Sequence, residues 1–220
     1  MRIHAYHEMY LNRAQKNLGS ALHYAVNDCG IPGAEFFDMF SACDISKRIE
    51  NGEPLYLVGK SGIEIARDVV ELTTGREFSV EPKGHFGRTK EYWIGWAVAY
   101  YQWISDRSYG EILRAVPYEN LEKMYQALHE ADISKFVDIM DSKMDAAYRD
   151  TRLKRLRLFY ELTQSELSKK SGVNLRSIQM YEQRNKDINK ASAETLYKLA
   201  KVLGCSMEAL LEKHSGKSVL

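Results

Sequence analysis

At 220 residues, with 45% hydrophobic and 28% charged side chains, the chain has the composition of an ordinary soluble globular protein with material for one large domain or two small ones. No run approaches the roughly 18 apolar residues of a membrane span, and the opening MRIHAYHEMY lacks the apolar core of a signal peptide, so no membrane contact and a cytoplasmic location are expected. Three cysteines, Cys29, Cys43 and Cys205, form no CxxC pair, which excludes a disulfide framework and fits buried, reduced thiols.

The net charge of +1 conceals a division. Residues 149–220 carry 15 Lys+Arg against 8 Asp+Glu, whereas residues 1–148 carry 16 against 22. A basic third attached to an acidic remainder points to one part that meets a polyanion and one that does not.

In chain order, His4, His7 and Glu8 come first as H-x-x-H-E, a spacing that matches no helical metal motif. PLYLVGK, residues 54–60, is the best candidate for a strand. Ser61 and Glu64 form a capping box before IEIARDVVELTTG, which predicts an amphipathic helix ending at Gly75. His85 stands alone among glycines in EPKGHFGRT. EYWIGWAVAYYQWI holds all three tryptophans. Trp93, Trp96, Ala97, Tyr100, Trp103 and Ile104 share one helical face, a stripe expected to be core in preference to ligand pocket. Ser108 and Glu111 make a second capping box.

Neither proline nor glycine occurs from Tyr118 to Ser171, so that stretch can be helical nearly throughout. Asp132 is a good N-cap for a stripe of Ile133, Phe136, Val137, Met140 and Met144, continuing to Ala147. The basic cluster RDTRLKRLR follows. It sets a domain boundary near residue 148, with a short or helical connection expected. These patterns predict a mostly all-α protein: a helical domain over 1–148 and a second helical domain over 149–220. No glycine-rich phosphate loop, nucleophile elbow or paired CxxC is present, so neither enzymatic activity nor a cofactor or metal is expected.

The second domain reads as five short helices. Leu153, Leu156 and Leu158 to Leu162 mark the first. Thr163 and Glu166 form the capping box of the second, which Gly172 ends. Asn174 caps the third, burying Ile178 and Tyr181 and turning Leu175, Arg176, Gln179 and Met180 outward. Ser192 caps a fourth, with Gly204 as its stop, and Ser206 a last one through Leu211.

This arrangement, with LTQSELSKKSGV at its centre, resembles the helix-turn-helix of the Cro and lambda-repressor (Xre) family over roughly residues 152–212. The resemblance implies a helix laid across the DNA backbone and the next, 174–183, inserted in the major groove of double-stranded DNA, usually from a homodimer. It assigns base reading to Asn174, Leu175, Arg176 and Gln179 and a phosphate clamp to Gln164. Arg184, Lys186 and Lys190 become phosphate contacts, and Arg157 and Glu182 a structural ion pair. The chain departs from the family after the third helix, where QRNKDINKA is longer and lacks glycine.

The implied function is a sequence-specific DNA-binding transcriptional regulator, a repressor. The alternative is an antitoxin that controls its own operon and neutralises a toxin through the first domain. In either reading that domain serves dimerisation, or the binding of a protein partner or a small effector. An enzyme or ligand-binding module merely targeted by the helix-turn-helix is a third possibility.

Overall fold

A computed structural model describes residues 4–83 and 89–212; His85 lies outside them. Among the described residues the chain is all α-helical, with twelve α-helices and no strand. It divides into two compact units, one ending at Ala147 and the other starting at Tyr148.

The first unit contains α1 (Leu11–His23), α2 (Gly33–Ala42), α3 (Asp44–Glu50), α4 (Gly62–Thr74), α5 (Lys90–Ser105), α6 (Tyr109–Ala115), α7 (Tyr118–Leu128) and α8 (Ile133–Ala147). Its local signals are read faithfully by the chain. Both capping boxes form, Ser61 with Glu64 and Ser108 with Glu111, and Gly75 ends α4 at φ 68°. His7 caps a short 3-10 turn, its Nδ1 accepting from the Met9 amide at 3.2 Å. His4 stacks on Trp103 with ring centroids 3.9 Å apart. No group of histidine, cysteine and carboxylate side chains among the described residues is arranged to hold a metal.

Helix α5 lies at the centre and packs chiefly along α1. Glycines set that crossing. A Cβ on Gly95 would fall 2.5 Å from the Leu18 carbonyl oxygen, and one on Gly19 would fall 2.8 Å from that of Tyr92. Two backbones so close leave room only for small or slim side chains between them. The face of α5 buried there is accordingly Ile94, Ala97, Val98 and Ala99, while Tyr101 is buried towards Asp141 of α8.

That corrects the expected core stripe. Trp93, Trp96, Tyr100 and Ile104 stand half-exposed on the flank, because the indoles are too large for the crossing. Trp103 does enter the core, donating its Nε1 hydrogen to the Tyr6 carbonyl at 2.8 Å.

The expected strand at 54–60 is also corrected. Leu55–Gly59 forms a π-helical turn, with Leu57 fully buried. Such a turn leaves carbonyls without helical partners, and the buried Asn17 amide donates to those of Leu57 at 3.2 Å and Lys60 at 3.0 Å.

In α8 the apolar stripe buries Phe136, Val137, Met140 and Met144, but Ala147 is exposed. Asp132 accepts from the Ser134 amide at 2.8 Å. Asp141 is buried on the same helix and accepts a 2.7 Å hydrogen bond from the Tyr101 hydroxyl, whose pKa is raised by burial and by this carboxylate.

The second unit contains α9 (Arg152–Phe159), α10 (Gln164–Ser171), α11 (Leu175–Glu182) and α12 (Ala193–Val202). The stretch from Tyr118 to Ser171 is therefore broken into four helices, interrupted at polar capping residues, Asp132, Thr151 and Thr163, where no glycine or proline stands. Helix α9 stops at Phe159, short of Leu162, because Glu161 turns left-handed at φ 54°; Leu158 and Phe159 are exposed. The expected last helix is a 3-10 turn, Glu208–Leu210. The core gathers Leu153, Leu167, Val173, Ile178, Tyr181, Ile188, Leu199, Leu203 and Leu210.

Candidate nucleic-acid interface

Three short helices, each too short to be stable alone, are held in one frame by a buried polar network. Arg157 on α9 donates from Nε to Glu182 Oε1 at 2.7 Å and from Nη2 to Oε2 at 2.8 Å, a two-pronged pair that reaches α11. Its Nη1 donates to the Leu162 carbonyl at 2.6 Å, closing the corner between α9 and α10. Gln164, the first residue of α10, adds a 2.8 Å bond from Nε2 to Glu182 Oε2. The two charged side chains are only 8% and 2% exposed, so solvent scarcely weakens the pair. Hydrogen bonding to the Glu182 carboxylate pushes the Arg157 guanidinium pKa further up.

The turn between α10 and α11 is equally determined. Thr163 and Glu166 form the capping box of α10. Gly172 ends the helix at φ 69°, a conformation that costs other residues energy. Ser168 Oγ donates to the Val173 carbonyl at 2.7 Å, and the Val173 amide donates to Ser171 Oγ at 3.2 Å. Asn174 then caps α11, accepting from the Arg176 amide at 2.8 Å.

With that frame in place, α11 has an inner and an outer face. Ile178, Tyr181 and Glu182 are buried; Asn174, Leu175 and Arg176 are exposed and Gln179 half-exposed. Of the residues with an expected base contact, Asn174 is thus already occupied in part by capping, whereas Arg176 and Gln179 have no side-chain hydrogen-bond partner among the described residues.

The residues singled out for phosphate contact divide. Gln164 points its amide nitrogen at Glu182, although its side chain stays half-exposed. Arg184 occupies the left-handed position after α11, at φ 57°, and its guanidinium donates to the carbonyls of Arg149 at 2.6 Å and Tyr148 at 3.3 Å. It serves the loop that lacks glycine, along with Asp187, which caps the 3-10 turn Ile188–Lys190 and places Ile188 in the core. Lys186 and Lys190 are exposed. The Lys186 ammonium lies 5.2 Å from the centroid of the Tyr181 ring.

A shallow depression beside the α11 N-terminus is lined by Asn174, Ser177, Lys186 and Lys198 among others. Ser177 and Lys198 were not distinguishable in the sequence: they lie on different helices, α11 and α12, and only packing brings them together. Lys198 is paired with Glu194 at 2.6 Å. Lys169 and Lys170 are exposed in the last turn of α10.

Residues 153–210 match a family model described as Helix-turn-helix. No curated protein and no solved structure matches the chain. The C-terminal third is a Cro/C1-type, Xre-like helix-turn-helix domain. The chain is in general terms a DNA-binding transcription regulator. No helix among the described residues is long and apolar enough to cross a membrane.

Proposed function

We propose that the protein is a sequence-specific repressor that binds double-stranded DNA as a homodimer and reads the major groove with residues 174–183. One observation carries this reading: Arg176 and Gln179 stand outward on α11 while Arg157, Gln164 and Glu182 lock the inner face of the same helix. A base-reading side chain discriminates only if its helix cannot shift, and each bidentate arginine or glutamine contact with a base distinguishes sequences by roughly 1–3 kcal/mol. Asn174 and Leu175 occupy the end of α11 that enters the groove first, and Lys186 and Lys190 flank it as phosphate contacts. Gln164 acts chiefly as a brace for Glu182 in this reading, and Arg184 as a brace for its loop.

The test is fluorescence anisotropy of the full chain on its own upstream DNA and on a scrambled duplex across a salt series. Preference for the upstream duplex, affinity falling steeply with salt, and loss of the preference in Arg176→Ala are expected. Lys186→Ala weakens binding to both duplexes alike. Equal binding to both duplexes by parent and Arg176→Ala would refute base reading by this face. An antitoxin that controls its own operon would use the same DNA contacts and differ in what its acidic unit holds; a protein co-purifying with that unit would identify it.

A further inference from the structure

The aromatic flank of α5 is not left as bare surface. Tyr92, Trp93 and Trp96 form one wall of a cavity of about 420 Å³, and Tyr125, His129 and Asp132, from α7 and the turn that follows it, help to form the other. That volume lies in the range of small-molecule sites. The walls are held in place before any ligand arrives. Trp93 meets Tyr125 edge-on at 5.6 Å and 68°, and meets Phe136 edge-on at 5.6 Å and 80°. Tyr125 in turn stacks on His129 at 4.6 Å.

The chemistry of the lining is one-sided. Asp132 is its sole carboxylate, and neither lysine nor arginine contributes. One Asp132 oxygen accepts from the Ser134 amide at 2.8 Å, and hydrogen bonding from Ser134 holds the carboxyl below its usual range, so it is an anion at neutral pH. Aromatic faces present negative charge to whatever lies over them, and the whole 1–148 region is acidic. An anionic ligand would be repelled by this carboxylate and by the ring faces, Lys135 being the cation that acts on Asp132 from outside the lining. A neutral one would forgo both the ring faces' quadrupole and the carboxylate.

We propose that this cavity binds a small organic cation, of the alkyl- or arylammonium class, over the faces of Trp93 and Trp96 with its charge towards Asp132. The ammonium's methyl or methylene groups cover ring area that is otherwise half-exposed, and its charge is balanced without a buried ion pair. This inference rests on the first unit alone and stands independently of what the C-terminal third reads on DNA.

The test titrates the full chain with benzyltrimethylammonium, with choline, and with 3,3-dimethylbutan-1-ol, which replaces the choline nitrogen by carbon. Tryptophan fluorescence and calorimetry give the readouts. Saturable binding of the ammonium probes is expected, with choline roughly tenfold or more tighter than its neutral isostere. Trp96→Leu abolishes it. Asp132→Asn, which keeps the oxygen that caps α8, weakens it severalfold and leaves the circular dichroism spectrum unchanged. Failure of both ammonium probes to saturate would overturn the proposal, as would equal binding of the isostere, or full affinity in a folded Asp132→Asn protein. Should Trp96→Leu fail to fold, the Asp132→Asn and isostere comparisons decide alone. Recognition of an alkylated lysine on a protein partner in place of a small cation would show as binding of a trimethyllysine peptide with neither ammonium probe competing, and would also overturn it.

Discussion

The two units solve the same problem, packing short helices, by opposite means. The acidic unit relies on backbone proximity: glycines at the α1–α5 crossing bring main chains together, and Trp93 and Trp96 are displaced to a flank where they wall a cavity. The basic unit has a small core and relies on polar geometry, with caps at helix ends and one buried ion pair tying α9, α10 and α11. A shape-built unit tolerates a change in charge but not in volume, and a polar-built one the reverse. The cavity and the outward face of α11 follow from these two strategies.

The contrast can be broken most sharply at Arg157. Arg157→Ala leaves the Glu182 carboxylate buried without its partner and is expected to cost about 3–5 kcal/mol in urea denaturation of the basic unit. Replacing both residues together by apolar side chains of similar volume should recover most of that loss; if the double variant is as unstable as the single one, the pair is more than a brace.

Next in size is Gly95→Val, whose Cβ would collide with the Leu18 backbone. A destabilisation of about 3 kcal/mol is expected, confined to the acidic unit. Hydrogen exchange resolves the two units, and increased exchange in α10 and α11 at the same level would mean that the units do not fold separately.

Tyr101→Phe removes the hydroxyl that satisfies buried Asp141 and should cost about 1–3 kcal/mol, showing that the acidic unit also uses buried polar devices, as it does with Asn17 beneath the 55–59 turn. A melting temperature equal to the parent's would show the hydrogen bond to be dispensable.

Smallest is Thr163→Ala, expected to cost about 1 kcal/mol through loss of the α10 cap. It also changes the response to acid. Hydrogen bonds from Thr163 hold the Glu166 carboxyl below its ordinary value of 4.5, so its contribution to stability is present above that pH and is lost as pH falls through the depressed folded-state value. The alanine variant should lose less stability than the parent over that acidic window. Identical acid titrations of the two proteins would argue against the assignment.

Much of the fold was legible in the sequence because caps are local. Ser61 with Glu64, Ser108 with Glu111, Thr163 with Glu166, and Asn174 each act within a turn of their own helix, where residue type alone sets the geometry. Periodicity likewise placed Ile178 and Tyr181 inward and Arg176 outward. The family resemblance directed attention to Arg157 and Glu182, but it gave no hint that Gln164 would join them, nor that Arg184 would turn back to the carbonyls of Arg149 and Tyr148. Those bonds depend on where separate segments meet.

The sequence by itself determined the charge division and the helical class, since composition, caps and periodicity need no knowledge of distant neighbours, and its resemblance over roughly residues 152–212, matched by the family model at 153–210, supplied the helix-turn-helix. Only the tertiary structure decided which face of α5 is core. Its aromatic stripe has a helical period whether it is buried or exposed, and the choice was made by the approach of α1 over Gly95, which admits Ala97 and Val98 and excludes Trp93 and Trp96. The same held for Leu55–Gly59, apolar enough for a strand but coiled into a turn because Asn17, on another helix, supplies the amide that its carbonyls require.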